Sequence, residues 1–297
     1  MAFTDWFKET RPAFLLLTPI TFSVGLAIAY TEGDFNLLRA VLGLVGVVLA
    51  HASVNMINDY FDHKSGLDYN TEPTPFSGGS GFITSGILDS RQVYYMALTF
   101  LAIGGLIGLY FIATTGVMLM PIVLAAAATI YLYTPVLSRL YIGEILTGLN
   151  FGPLMSLGGY YIMTGRYGAS CIAAGAIPGI LVGVLLYLNE FPDLHPDQNV
   201  GRRNIIMVIG LENAAKLYGV FITSAYITVL ADVWLGYLPL TTMVTFLTVP
   251  IAVKAIRGVL NHYSDIKLLI PAMGENVKLV LSMTALTSIG ILLGSLL

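Results

Sequence analysis

Residues 36–68 read NLLRAVLGLVGVVLAHASVNMINDYFDHKSGLD, and the class of fold follows from this stretch. The first half, up to Ala50, has Arg39 as its only charged residue. An apolar helix of about 20 residues crosses the ~30 Å hydrocarbon layer of a bilayer. The second half becomes polar and acidic without an intervening proline. We therefore predict a membrane-spanning helix that carries amide and carboxylate side chains to the membrane surface.

The whole chain shares this apolar character. Of its 297 residues, 56% are hydrophobic and 10% are charged, and the mean hydropathy is +0.81. A soluble domain has about 25% charged residues, so the composition excludes that class. The net charge of −3 gives no reason to expect a nucleic acid partner. Cys171 is the only cysteine, which excludes a disulfide or a thiolate metal cluster.

Apolar windows of about 19 residues recur from one end of the chain to the other. They predict nine transmembrane helices, at residues 12–31, 36–62, 91–114, 117–134, 141–164, 169–190, 212–236, 239–259 and 273–296. We therefore expect an all-α integral membrane protein whose residues 1–297 form a single domain, with nine helices around a central cavity. Two long polar connections, residues 63–90 and 191–211, separate these helices.

The basic residues predict the orientation of the chain. If the N-terminus is cytosolic, all lysines and arginines except Arg39 and Arg166 fall at cytosolic ends of spans, including Arg11 and Arg202. Positive charge is retained on the cytosolic side of membranes, so we expect this topology in the cell membrane. Both long polar connections are then cytosolic.

A motif at the end of the second span recurs at the end of the sixth. The second span ends NDYFDHKSGLD and the sixth ends NEFPDLHPD. The shared pattern is an Asn, an acid, two further residues and an Asp, followed later by another Asp: Asn58, Asp59, Asp62 and Asp68 in the first copy, and Asn189, Glu190, Asp193 and Asp197 in the second. Copies four spans apart run in the same direction, as in parallel internal repeats. Both motifs are thus expected to face one cavity.

The two motifs have the chemistry of a magnesium site. Residues four apart share a helix face, so Asn58 and Asp62 can converge on one ion, as can Asn189 and Asp193. Carboxylate and amide oxygens suit Mg²⁺, which commonly binds a few carboxylates together with substrate phosphates. The alternative is that these residues only mark helix ends, where Asp and Asn are common. Acidic residues at membrane depth are costly and usually have a function. This favours the first interpretation, in which the two motifs bind two Mg²⁺ ions and one diphosphate.

Other polar residues on the same side offer further candidates. The segment FSGGSGFITSG, residues 76–86, suits either a ligand-binding loop or a plain flexible loop. In YLYTPVLSRLYIGE, Arg139 either binds phosphate oxygens or anchors the loop to the membrane surface. Glu144 either handles the acceptor or its protons, or pairs with a basic neighbour. His51 is more typical of a hydrogen-bonded packing group than of a metal ligand.

These motifs resemble the UbiA superfamily of intramembrane prenyltransferases, whose two aspartate-rich motifs close the second and sixth of nine helices. The Asp62, Gly66 and Asp68 spacing is similar to the branch that makes menaquinone precursors, as are HASVNMINDYFD, YIGEILTGLNFGPLMSLGGYYIMTG and NEFPDLHPDQNVGRRN. Ser138 and Arg139 replace the Lys-Arg pair of the ubiquinone branch. The resemblance implies Mg²⁺, a polyprenyl diphosphate donor and a small aromatic acceptor similar to 1,4-dihydroxy-2-naphthoate.

We therefore expect a Mg²⁺-dependent prenyltransferase whose active site faces the cytosol. The expected metal ligands are Asn58, Asp62, Asp68, Asn189, Asp193 and Asp197, and the expected catalytic residues are Asp62, Asp68, Asp193, Asp197, Arg139 and Tyr133. Asn58, Asn189, Lys64 and Arg139 are expected to contact the diphosphate. The acceptor could instead be a glycerol-phosphate lipid or a tetrapyrrole. A cation-coupled secondary transporter is the alternative from another class, since parallel repeats and intramembrane acids also mark carriers.

Overall fold

A computed structural model describes residues 2–296, and within that range the chain forms helices and turns without a strand. The α-helices are α1 Phe3–Glu9, α2 Pro12–Leu15, α3 Leu17–Thr31, α4 Leu37–Ser65, α5 Ser90–Thr115, α6 Met120–Leu132, α7 Gly143–Leu149, α8 Met155–Thr164, α9 Ala169–Asn199, α10 Ile205–Ile209, α11 Leu211–Trp234, α12 Val249–His262 and α13 Ile266–Gly294. All nine predicted spans fall on helical segments.

Among the described residues, seven helical stretches are long and apolar enough to cross a membrane: Pro12–Thr31, Leu37–Ser65, Ser90–Thr115, Ala169–Asn199, Leu211–Trp234, Leu240–His262 and Ile266–Gly294. The predicted fourth span corresponds to the shorter apolar helix Val117–Leu132. The predicted fifth span is divided into α7 and α8 by a π-helical turn, Asn150–Leu154, which contains Pro153. Proline lacks the amide hydrogen that a regular α-helix uses, so the turn widens at this point.

Helix α9 runs well beyond its predicted end. We predicted that the helix ends at residue 190 and that residues 191–211 form a connection, but the helix continues through Pro192 and Pro196 to Asn199. Each proline removes one backbone hydrogen bond, and here the helix tolerates both losses. Because the helix persists, Asp193 and Asp197 lie one turn apart on the same face.

The last helix starts earlier than predicted, at Ile266 instead of residue 273. Asp265 caps it, because its Oδ1 accepts the backbone N–H groups of Lys267 and Leu268 at 2.9 and 3.2 Å. Pro271 lies inside the helix without ending it. The cap therefore decides where this helix begins, and the proline does not.

The predicted eighth span begins as a 3₁₀-helix, Leu240–Thr248, before α12. Thr242, Thr245 and Thr248 each donate a hydrogen bond to the carbonyl three residues earlier, at 2.6 to 2.8 Å. Such side-chain bonds compete with the regular helical ladder and favour the tighter turn.

The chain divides into two compact units. The first unit comprises the residues up to Pro19, Val41–Gly143 and Pro192–Asn204, and the second comprises Ile20–Ala40, Glu144–Phe191 and the residues from Ile205. The first unit has a buried core of Met56, Ile57, Ile83, Leu88, Val93 and Ala97. Ile83 belongs to the glycine-rich segment, so this segment is packed into the first unit rather than free.

Close backbone packing holds α7, the π-turn and α9 together inside the second unit. A Cβ added to Gly152 would lie 2.3 Å from the Gly175 carbonyl oxygen and 2.4 Å from the Gly179 Cα. A Cβ on Gly148 would lie 2.6 Å from the Gly179 carbonyl oxygen. Small residues allow this approach, which is a common way for helices to associate in membranes.

Candidate active site

Arg202 lies between the two acidic motifs within the first unit. Its guanidinium forms an ion pair with Asp62 from α4 and another with Asp197 from α9, the second at 3.4 Å between Nη1 and Oδ1. One guanidinium spans only a few ångströms, so these two carboxylates are neighbours. Both aspartates are buried, at 5% and 6% exposure. Residues predicted from separate motifs, 135 positions apart in the chain, therefore meet in one place.

Asp193 and Asp68 complete the acidic group. Asp193 lies one turn before Asp197 on α9, and its Oδ1 is buried without a hydrogen-bond partner. Asp68 lies in the 3₁₀ turn Leu67–Tyr69, which follows α4 through Gly66 in a left-handed conformation, φ 82°. Burial raises the pKa of Asp68, while Arg11 and Arg202 oppose the shift. The first motif thus presents Asp68 from a turn, and the second presents both aspartates from a continuous helix.

The glycine-rich segment 76–86 is attached to both motifs. The Ser77 side chain forms a hydrogen bond with Asp193, and the Gly79 backbone amide donates one to Asp68. A Cβ on Gly79 would lie only 3.0 Å from each Asp68 carboxylate oxygen, so a larger residue there would crowd the carboxylate. The Ser80 amide donates to Asp59 at 3.0 Å. These contacts favour the ligand-binding interpretation of the segment over that of a plain flexible loop.

The N-terminal segment supplies a second arginine. Arg11, in a left-handed conformation with φ 55°, forms an ion pair with Asp59 and lies 3.4 Å from the Asn58 Oδ1. Burial lowers the pKa of Arg11, and the carboxylates of Asp62 and Asp68 oppose the shift. Asp59 is 1% exposed and the Arg11 side chain is 20% exposed, so Asp59 is the buried partner of a partly buried cation.

Glu9 is the other buried charged group of this segment. It is fully buried, and it accepts a hydrogen bond from the Ser80 hydroxyl. Burial raises the pKa of Glu9 to about 7, while the Ser80 bond and Arg11 oppose this shift. The Ser80 hydroxyl thus donates to Glu9 and the Ser80 amide donates to Asp59. These bonds attach the glycine-rich segment to the N-terminal segment and to α4.

The amide members of the motifs differ in their surroundings. Asn58 donates from Nδ2 to the Thr134 hydroxyl at 3.1 Å, which directs its Oδ1 to the other side. Asn189 lies four residues before Asp193 on α9, and its Oδ1 is buried without a hydrogen-bond partner. Among the described residues, neither of these two amide oxygens accepts a hydrogen bond from a backbone N–H group.

The two basic residues predicted to contact the diphosphate have exposed side chains. Lys64 is exposed, with its Nζ 5.9 Å above the Tyr60 ring, and Arg139 is exposed as well. Tyr133 interacts electrostatically with Arg202. His51 bonds through Nδ1 to the Thr18 hydroxyl at 2.7 Å, as a packing histidine would.

The two arginines that the structure brings to the acids were not among the predicted site residues. Arg11 and Arg202 were counted only as topological anchors, although Arg202 follows the second motif by five residues and Arg11 precedes Pro12 directly. Burial raises the cost of the Arg202 charge, and the carboxylates of Asp62 and Asp197 more than compensate, so its pKa is raised. For Arg202, its place five residues after the second motif was a signal available in the sequence, whereas Arg11 lies 47 positions before Asn58 and only the fold brings it there.

The donor set fits a hard divalent cation. Within residues 2–296 no three His, Cys, Asp or Glu side chains converge as a ready-made metal cluster, and a guanidinium lies between two of the carboxylates. Buried polar atoms without partners are costly, and Oδ1 of Asn189 and Oδ1 of Asp193 are two such atoms. Carboxylate and amide oxygens of this kind are the ligands that Mg²⁺ prefers.

Residues 17–267 match the model of the UbiA prenyltransferase family. The chain belongs to this family. A 1,4-dihydroxy-2-naphthoate octaprenyltransferase from Bacillus subtilis (strain 168) is 28% identical over 96% of this chain and 91% of that relative. A 2-carboxy-1,4-naphthoquinone phytyltransferase from Synechocystis sp. is 22% identical over 88% of this chain and 83% of the relative.

A solved structure supports the same fold for this UbiA family member. The UbiA homolog from Archaeoglobus fulgidus, in its complex with DMAPP and Mg²⁺, superposes with a TM-score of 0.67 at 16% identity, covering 96% of this chain and 99% of that one. The predicted family resemblance, including its menaquinone branch, is thereby confirmed. The protein is a multi-pass membrane enzyme, a prenyltransferase, and the transporter alternative is set aside.

Proposed function

We propose that this UbiA family member transfers a polyprenyl group from its diphosphate to an aromatic acceptor related to 1,4-dihydroxy-2-naphthoate. The observation that carries the proposal is the Arg202 side chain, paired with Asp62 from one motif and Asp197 from the other. Carboxylates from both motifs therefore lie close enough together to bind, through divalent ions, the same diphosphate. The naphthoate prenyltransferases among the relatives support the choice of acceptor.

Two Mg²⁺ ions would be held by Asn58, Asp62 and Asp68 from the first motif, and by Asn189, Asp193 and Asp197 from the second. Bound there, Mg²⁺ would neutralise the negative charge that develops on the diphosphate as the bond to the prenyl carbon breaks. The buried, partnerless oxygens of Asn189 and Asp193 support this assignment.

The chain's own residues would position the reactants. Arg202 offers forked donors that match phosphate oxygens. The prenyl C1–oxygen bond breaks, the diphosphate leaves with the bonding electrons, a ring carbon of the acceptor attacks C1, and the ring then loses a proton. The glycine-rich segment, attached to Asp68 and Asp193, would exclude water from the cation-like allylic group. Tyr133, beside Arg202, offers an aromatic face to that group.

The proposed function also includes the topology that the sequence predicts. We infer nine spans in a single domain built from parallel repeats, with the N-terminus and the active site facing the cytosol at the cell membrane. The acids close α4 and the extended α9, next to the polar segment 76–86. That position suits a diphosphate that approaches from water while its hydrocarbon tail stays in lipid.

Turnover by aspartate variants tests the proposal. Asp62→Ala and Asp193→Ala should each lose about a hundredfold or more of the turnover of detergent-solubilised protein with Mg²⁺, geranylgeranyl diphosphate and 1,4-dihydroxy-2-naphthoate. Asp34→Ala is the matched control, since Asp34 pairs with Arg166 on the exposed surface of the second unit. Undiminished turnover by either site variant would refute the assignment.

Product analysis then identifies the acceptor. The protein is incubated with one labelled diphosphate and a mixture of aromatic, glycerol-phosphate and tetrapyrrole acceptors, and mass spectrometry identifies the prenylated product. A prenylated naphthoate is expected. A product on the lipid or tetrapyrrole would leave the enzyme class intact and replace the acceptor.

A further inference from the structure

Arg202 pairs with carboxylates that are also proposed metal ligands. Its guanidinium pairs with Asp62 and Asp197, and Asp193 also lies within electrostatic reach. The Arg202 side chain is 19% exposed, so it is largely desolvated by these contacts. The protein thus neutralises part of its own acidic group with a cation that belongs to the chain.

A divalent ion and this guanidinium cannot both engage the same carboxylates without strong repulsion. Like charges a few ångströms apart in a partly buried site repel each other strongly, because little water screens them. Binding of the ion therefore requires Arg202 to find another anion. A diphosphate is the anion whose oxygens match the guanidinium fork.

The backbone around Arg202 is fixed, so a change of partner involves the side chain alone. The Arg202 amide donates to the Asp197 carbonyl at 3.0 Å, and the next amide, that of Arg203, donates to the Ser138 carbonyl at 2.9 Å. Gly201 takes the left-handed conformation, φ 79°, that turns the chain after α9. The long arginine side chain can then rotate from carboxylate to phosphate while its Cα stays in place.

We propose that Arg202 couples metal binding to diphosphate binding: it pairs with the metal-binding carboxylates until a prenyl diphosphate arrives, and then donates to the diphosphate. The inference rests on the proposed function of the two motifs as the metal and diphosphate site. Its consequence is that metal alone binds weakly, and that metal and diphosphate bind tightly together.

The other arginines do not share this role. Arg11 has its ion pair with Asp59, which is outside the proposed metal set, so it keeps that partner when ions bind even if its contact with the Asn58 Oδ1 is lost. Arg203 points elsewhere, with its guanidinium 5.6 Å over the Tyr141 ring and Nη1 3.3 Å from the Tyr141 hydroxyl. Arg203 is therefore a matched control of the same charge at the next position.

Mn²⁺ binding tests the coupling without catalysis. Free Mn²⁺ is measured by EPR while detergent-solubilised protein is titrated, with and without inorganic pyrophosphate, against protein-free blanks. Arg202→Gln should bind Mn²⁺ alone about tenfold more tightly than the parent protein, because a competing cation is removed. Pyrophosphate should then increase its Mn²⁺ affinity far less than it does for the parent protein. Arg203→Gln should match the parent protein in both titrations.

The outcomes separate this inference from the proposed function. If the parent protein binds Mn²⁺ with pyrophosphate and Arg202→Gln shows unchanged or weaker affinity for Mn²⁺ alone, the coupling role is wrong and the site stands. If the parent protein binds no Mn²⁺ even with pyrophosphate, both fail. Arg202→Lys, which retains a cation, guards against misfolding of the glutamine variant. It should bind Mn²⁺ alone as weakly as the parent protein, and tight binding by it would overturn the inference.

Discussion

Asp59 and Asp62 lie three residues apart on α4, but they have different partners. Asp59 pairs with Arg11, and Asp62 pairs with Arg202 in the proposed diphosphate site. Asp59→Asn leaves the Arg11 guanidinium, whose side chain is 20% exposed, without its ion-pair partner, a loss that costs about 3–5 kcal/mol in a fully buried pair. The asparagine still accepts the Ser80 amide, and Arg11 retains the Asn58 Oδ1 at 3.4 Å. We therefore expect the lower end, about 3 kcal/mol, or a melting temperature roughly 5–10 °C lower.

Asp62→Asn should have the opposite pattern of effects, a small change in stability and a large loss of turnover. Arg202 keeps Asp197 as a partner, so the melting temperature should change less than in Asp59→Asn. Turnover should fall by about a hundredfold or more, since the variant removes a charged ligand from the diphosphate site. The assays are thermal unfolding in detergent and turnover below the unfolding range, where Asp59→Asn should retain most of its activity. Equal losses of turnover in a pair of equally stable variants would refute this division.

Two further predictions concern stability. Burial raises the pKa of Glu9 from 4.5 to about 7. Between these two pH values, Glu9 is protonated in the folded protein and ionised in the unfolded chain. The free energy of unfolding therefore falls as the pH rises through this range. Glu9→Gln should melt like the parent protein at pH 5 and be more stable by about 1–3 kcal/mol at pH 8; the same offset at both pH values would contradict this. Gly152→Ala should cost about 3 kcal/mol, because backbone atoms of α9 block its Cβ, whereas Gly105→Ala, with open space around it, should change stability by less than about 1 kcal/mol. Equal melting temperatures for the two alanine variants would contradict the packing argument.

The helical class and the acidic motifs were predictable because each depends on local composition. Long apolar runs require a membrane, and repeated acids at their ends are expensive unless used. Helix ends were less predictable. The hydropathy windows ended the sixth span at residue 190, before Pro192 and Pro196, and began the ninth at residue 273, although Asp265 offered a cap upstream. Tertiary packing overrides the local preference of a proline, and sequence patterns do not report packing.

The partners of the acids were the least predictable part of the site. Asp59 belongs to the first motif but was not among the predicted metal ligands, and the structure shows it as the counter-ion of Arg11. Arg202 appeared to be a topological anchor, yet it reaches Asp62 across 140 positions of sequence. Long flexible cations can serve at a membrane surface or in a buried pair, and only the fold decides between these environments.

The most direct measurement is a structure of the protein with Mn²⁺ and a non-reactive prenyl thiodiphosphate, in which anomalous scattering locates the ions. We expect the manganese ions to lie between the diphosphate and carboxylates from both motifs, with Asp62 on one side and Asp197 on the other. Ions and diphosphate held by a single motif, or bound away from both, would contradict the account.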